Sequence, residues 1–226
     1  MKEKYWILLF VIFLAGDIVG VQLDNDLLQI IFKPLIIPAL ARFFTAQVKT
    51  VIAGFAKWIL LALLFSLLGD ILLLFVAKND IFFLLGLASF LIAHIFYIIF
   101  FHHVRVREKI KGKPWLSVSV LIYYAFLIAF LSPHLGDMRI PVLVYGVVIS
   151  FMLMLALHML FLKNKTAGQW MMAGALLFVI SDSVLAVNKF YQPFEGAAVI
   201  IMLTYGLAQL FIVKGAIRYI NSRDKE

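Results

Sequence analysis

Long apolar runs broken by short polar stretches make up almost the whole chain. Eight runs have the ~20-residue length that an α-helix needs to cross a hydrocarbon layer ~30 Å thick. They cover roughly 5–21, 27–44, 51–77, 80–101, 116–131, 138–161, 168–187 and 194–219. The fifth is short, and the last passes into a basic tail. The connections are too brief for a separate soluble domain. The pattern predicts an all-α integral membrane protein, with residues 1–226 forming a single bundle of about eight transmembrane helices.

Charge converts these runs into a topology. Lys2, Lys4, Arg42, Lys49, Arg105, Arg107, Lys109, Lys111, Lys113, Lys163, Lys165, Arg218, Arg223 and Lys225 fall on one side of an eight-span arrangement. Lys78, Arg139 and Lys189 fall on the other. Basic loops stay in the cytoplasm, so both termini are expected there, and an odd number of spans would scramble the bias. Met1-Lys2-Glu3-Lys4 before an apolar run has the charge pattern of a signal peptide. The run is long, contains Gly16 and Asp17, and has no small-x-small cleavage site, so it is kept as the first span.

Composition agrees: 65% of residues are hydrophobic, 14% are charged, and mean hydropathy is +1.06. A soluble domain of this size has no core large enough for so much apolar surface. The net charge of +8 is spread over short loops and is no nucleic-acid footprint. The absence of cysteine excludes thiol catalysis, disulfides and thiolate metal sites.

Two carboxylates interrupt the apolar runs, Asp70 behind Gly69 and Asp182 behind Ser181. A carboxylate inside a bilayer is costly unless it faces protein or water, which makes each a functional candidate. Counted from the span ends, Asp17, Lys33, Asp70 and Asp182 lie about 6–10 Å below the outer surface. Four ionisable groups from four helices are thus expected in one layer. Ala62, Ser66, Gly69, Asp70 and Ala77 share one face of span three; Ala175, Phe178, Asp182, Ala186 and Lys189 share one face of span seven. Such small-and-polar stripes should point into the bundle. Span four carries Gly86, Phe90, His94 and Tyr97, and span eight carries Tyr205, Ala208 and Gln209. Asp70 precedes His94 by the interval at which Asp182 precedes Gly206, a hint of internal duplication.

Each candidate has a plainer alternative. The two acids can fix helix register, hydrogen-bonded to Ser66 or Ser181 or paired with Lys33, but the cost of burial favours a site. Lys33 precedes Pro34, a possible kink, and snorkelling to the headgroups stands level with a site role. A solvated position is expected for Asp17. For His94, simple packing stands level with a site role. His102, His103, His134 and His158 fall near span ends, and no histidine pair has a metal-binding spacing.

Several blocks together resemble the lysoplasmalogenase-like (YhhN-type) family of membrane proteins. They are Lys33-Pro34, Ser66-x-x-Gly69-Asp70, Gly86-x-x-x-Phe90-x-x-x-His94-x-x-Tyr97, Ser181-Asp182-x-x-Leu185-Ala186-x-x-x-Phe190 and Tyr205-x-x-x-Gln209. The first span and loop 102–114 carry no such block. The resemblance implies an eight-span hydrolase, in a bacterial inner membrane, that cleaves the vinyl ether bond of lysoplasmalogen to a fatty aldehyde and a glycerophospho-alcohol. The family's two acids map onto Asp70 and Asp182. One would protonate the vinyl β-carbon while the other, ionised, stabilises the oxocarbenium ion and orients water, as in glycoside hydrolysis. Lys33, Ser66, His94 and Tyr97, with Ser181, Asn188, Tyr205 and Gln209, form the expected lipid-binding set. No metal, cofactor or nucleic-acid partner is implied, and the oligomeric state is left open. The competing classes are a lipid or ion transporter using the paired acids, and a ceramidase-like metal amidase, which needs three convergent histidines where only His94 is well placed.

Overall fold

The computed structural model describes residues 3–48 and 54–223. The basic residues Lys2, Lys49 and Lys225, and the expected start of the third span, lie outside the described residues. Among the described residues eight α-helices follow in order: α1 Glu3–Gln22, α2 Asp26–Gln47, α3 Ala56–Leu73, α4 Ile81–Arg107, α5 Pro114–Leu131, α6 Arg139–His158, α7 Lys165–Ala186 and α8 Ala197–Arg223. Each lies in a segment long and apolar enough to cross a membrane. The protein is a multi-pass membrane protein, and its surface agrees. Leu27, Phe126 and Ile140 are 69%, 74% and 74% exposed, whereas Ser66, His94 and Gln209 are wholly buried. That inversion suits a hydrocarbon solvent, in which polar groups must find partners inside the protein.

Helix α8 lies at the centre, against α1, α2, α3 and α7, while α5 sits at the edge against α6 and the turn after α7. Where α7 meets α8 the backbones nearly touch. A Cβ on Gly174 would lie 2.7 Å from the Ala208 carbonyl oxygen, and one on Gly215 would lie 2.8 Å from that of Ala167. Small residues allow this approach, which replaces the hydrophobic drive that lipid does not supply. Gly174→Leu is therefore expected to destabilise the protein by about 1–3 kcal/mol or more, read as a lower thermal unfolding midpoint in detergent.

The basic helix ends gather at one end of the bundle. Arg42 at the end of α2 lies over the Trp6 ring of α1, Trp58 of α3 stacks on His103 of α4, and Arg223 of α8 pairs with Glu108 at 3.3 Å. At the opposite end Lys189 faces Asp80, and Phe83 packs against Phe190.

The internal duplication is visible in the helix bounds. The interval from Asp70 to Asp182 carries α1 onto α5, α2 onto α6 and α3 onto α7 to within a turn of helix. Three elements depart from the expected pattern. Helix α3 stops at Leu73. Helix α4 runs on to Arg107, so the first part of the expected loop 102–114 is helical; Arg105 and Arg107 in its last turn suit the helix dipole. Helix α7 widens into a π turn, Val187–Tyr191. Helix α2 runs unbroken through Pro34 and Pro38.

Candidate active site

Asp70 projects from α3 towards α8. Its Oδ2 accepts a hydrogen bond from the Tyr205 hydroxyl at 2.7 Å, and the residue is 2% exposed. Gly69 beside it has no side chain, so the Phe90 ring of α4 closes down there; a Cβ at Gly69 would meet that ring at 2.6 Å. Phe90 in turn sits edge-on to Tyr205 and fixes the phenol. One turn along, Gln209 of α8 donates to Ser66 Oγ at 2.9 Å and accepts from the Tyr97 hydroxyl. Ser66, Tyr97, Tyr205 and Gln209, all expected at the site, thus form one buried polar ladder beside Asp70. The hydroxyl of Ser66 is bonded to Gln209, and Tyr205 serves the acid instead.

Lys33 makes no direct ion pair with Asp70 or Asp17 among the described residues, so its charge reaches them only at longer range. The solvated position expected for Asp17 is overturned. It is 0% exposed, with both carboxylate oxygens buried and without hydrogen bonds. The cause is tight packing of α1 on α2 and α8. A Cβ on Gly16 would lie 2.7 Å from the Phe32 ring, and Leu14 fills the notch at Gly206. Lys33 is half-buried, between the headgroup and site positions the sequence allowed.

Asp182 lies in the other half of the molecule. Its Oδ2 accepts from the Tyr145 hydroxyl of α6 at 2.5 Å, and His94 Nε2 of α4 stands 3.8 Å from the same oxygen. The His94 side chain is 1% exposed and that of Asp182 is 16% exposed. Neither ring nitrogen of His94 makes a hydrogen bond. The ring is wedged edge-on against Phe178 and Tyr145. Asp182 opens into a crevice of about 50 Å³ between α5, α6 and α7, with Tyr123, Tyr145 and Ser183 on its polar wall and Leu127, Ile128 and Val142 on its apolar wall. The Tyr123 hydroxyl bonds to Ser183, whose own hydroxyl also donates to the Val179 carbonyl at 2.5 Å.

The two acids occupy separate networks, Asp70 bonded to the Tyr205 phenol beside the Gln209 ladder and Asp182 bonded to the Tyr145 phenol with the His94 ring nearby. Phe178, 0% exposed, stands between them, its ring against both His94 and Tyr205. The duplication is visible here too. The interval from Asp70 to Asp182 is also that from Lys33 to Tyr145, so the position equivalent to Lys33 carries the phenol that bonds Asp182.

Two expected lipid contacts are placed elsewhere. The Ser181 hydroxyl donates to the Ile201 carbonyl of α8 at 3.0 Å and pins α7 to α8. Asn188 Oδ1 accepts from the Phe194 amide and closes the turn before α8. The sequence reading omits Tyr145, Tyr123 and Ser183. Their one signal is that they are hydroxyls inside apolar spans, and near span ends Tyr is ordinarily an interface anchor. The other histidines are dispersed. His158 accepts from the Lys113 amide, His103 lies by Trp58, and His134 lies by Tyr191. Among the described residues no three His, Asp or Glu side chains are grouped to hold a metal ion. A larger cavity of about 650 Å³, lined by Gln47, Trp170, Lys214 and Arg218, lies at the basic end and contains neither acid.

Comparison with known proteins gives the family of the chain. The model of the YhhN family matches residues 28–216. Human lysoplasmalogenase TMEM86B is 34% identical over 169 residues, 73% of this chain and 66% of that protein, so the match spans just under two thirds of the relative. The Mycobacterium tuberculosis lysoplasmalogenase is 32% identical over 194 residues, 84% of this chain and 71% of that protein. Bovine lysoplasmalogenase TMEM86A is 33% identical over 167 residues, 72% and 66% of the two lengths. No solved structure matches the chain.

Proposed function

Because the chain belongs to the YhhN family, we propose that it is a lysoplasmalogenase-type hydrolase, one membrane domain that cleaves the vinyl ether of a single-chain lysophospholipid. The observation that carries the reading is Asp182. It is a carboxyl group on the wall of an apolar crevice, backed by Tyr145 and His94 on one oxygen.

Vinyl ethers hydrolyse through protonation of carbon. Protonated Asp182 gives its proton to the β-carbon of the enol ether, and the electron pair on oxygen forms an oxocarbenium ion. Water adds to the α-carbon and returns a proton to the Asp182 carboxylate. The hemiacetal then collapses to fatty aldehyde and glycerophospho-alcohol. The carboxyl group is regenerated, so no cofactor is consumed. His94, too far from Oδ2 for a direct hydrogen bond, is placed to hold the incoming water once the substrate tightens the site. Ionised Asp70 lies behind Phe178 and opposes the developing positive charge in a medium of low dielectric. Lys33 holds Asp70 and Asp17 in balance. The bias of basic residues to one end supports a cytoplasmic basic end with the acids towards the outer leaflet, and a bacterial inner membrane is the location we propose.

Purified protein should release aldehyde from lysoplasmalogen and none from its saturated ether analogue. In D₂O the promptly trapped aldehyde should carry deuterium on the carbon next to the carbonyl, and H₂¹⁸O should label the carbonyl oxygen. Aldehyde without that deuterium rules out carbon protonation, and no aldehyde from folded protein ends the hydrolase reading.

A further inference from the structure

We propose that the groove between α5 and α6 seats the hydrocarbon chain of the lipid whose vinyl ether reaches Asp182, and that its closed lower end limits the chain length accepted. The proposal rests on the hydrolase reading above and adds the lipid's binding site to it.

The two halves of the molecule differ in one respect that makes this groove. In the first half α1 and α2 are closed together. A Cβ on Gly20 would lie 2.8 Å from Leu28 Cβ, as one on Gly16 would from the Phe32 ring at 2.7 Å. The interval that carries Asp70 onto Asp182 puts Ile128 and Ser132 in place of those glycines. Ile128, unlike Gly16, carries a side chain, and it lines the crevice, while Ser132 falls in the turn beyond α5. The first half therefore seals Asp70, and the second leaves Asp182 open towards the lipid.

Below the crevice the opening continues. A second cavity of about 210 Å³ lies between the same two helices, and Tyr124 and Ser150 line both. Its other walls include Val120, Val147 and Phe151. The polar groups cluster at the upper end with Asp182, while below it the lining is mostly apolar. At the lower end the Ser117 hydroxyl donates to Met154 Sδ at 3.2 Å and joins the helices. From Tyr145 to Met154 the groove runs ~14 Å along α6 at the rise of an α-helix. A reactive end, a long apolar wall and a floor match a single alkenyl chain lying along the bilayer normal, entering sideways from the membrane.

The test uses lysoplasmalogens of long and short alkenyl chain. Ser150→Leu fills the junction of the two cavities. Val147→Trp, at a 54%-exposed position that tolerates bulk without disturbing the fold, fills the lower one. Both should lower kcat/KM for the long chain by roughly tenfold or more and spare the short chain. Val19→Trp, on the lipid-facing side of α1, should leave both unchanged. Equal losses at both chain lengths, or none in either filled variant, overturn the proposal. A saturated ether lysolipid with a diazirine at the chain terminus should label α5 and α6 near Met154, and lysoplasmalogen should displace it. Labelling elsewhere, or labelling that is not displaced and so reports bulk lipid, overturns it as well. No aldehyde from the wild type at any chain length would defeat the hydrolase reading, and the labelling would still decide the groove.

Discussion

Asp182→Asn is expected to cut aldehyde release by about 10³-fold or more, at the upper part of the range for a lost general acid. The amide keeps the shape of the side chain and still accepts a hydrogen bond from Tyr145. Folding should therefore survive, as judged by an unchanged unfolding midpoint. An amide has no carboxyl proton to give to carbon, so kcat carries the loss and KM changes little. Binding of the saturated ether analogue should match the wild type. Activity in a folded Asp182→Asn variant within tenfold of wild type would remove Asp182 from the reaction.

The second large effect is expected at Asp70. It lies behind Phe178, outside the crevice, and is 2% exposed. Its role is the field it projects, so Asp70→Asn should lower kcat by about 10²-fold, the order seen when one preorganised electrostatic group is removed. KM should not change, since Asp70 lies outside the crevice. Asp70→Asn also leaves Lys33 with Asp17 alone, and Lys33→Met in the same chain should recover folding stability without recovering rate. If Asp70→Asn abolished aldehyde release from folded protein while Asp182→Asn lost only about 10²-fold, the proton donor would be Asp70 and the two roles would exchange.

Much of the architecture can be read along the chain, because lipid makes a one-dimensional demand: each span must be long enough, apolar enough and hydrogen-bonded within itself. Asp70, Asp182, Ser66, His94 and Gln209 were legible for the same reason, as polar groups inside spans that otherwise exclude them. The fate of Asp17 was not. Counting from a helix end gives depth but not the neighbour, and Phe32 and Leu14 close over α1 from other helices. Ser181 and Asn188 have the right residue types beside the right acid, yet their hydrogen bonds go to the Ile201 carbonyl and the Phe194 amide. Tyr145 was hidden because a tyrosine near a span end has an ordinary explanation.

The sequence by itself thus determined the eight spans, the clustering of basic ends and the two acids within apolar helices, since each follows from what one helix must satisfy in a bilayer. Only the tertiary structure decided that the acids stand in separate networks divided by Phe178, and that Asp182 is open where Asp70 is sealed. The difference goes with side-chain volume at a matched position, Gly16 closed against Phe32 and Ile128 lining the crevice. Volume has no consequence along a single helix. It acts when a second helix packs against the first and either closes on it or is held away.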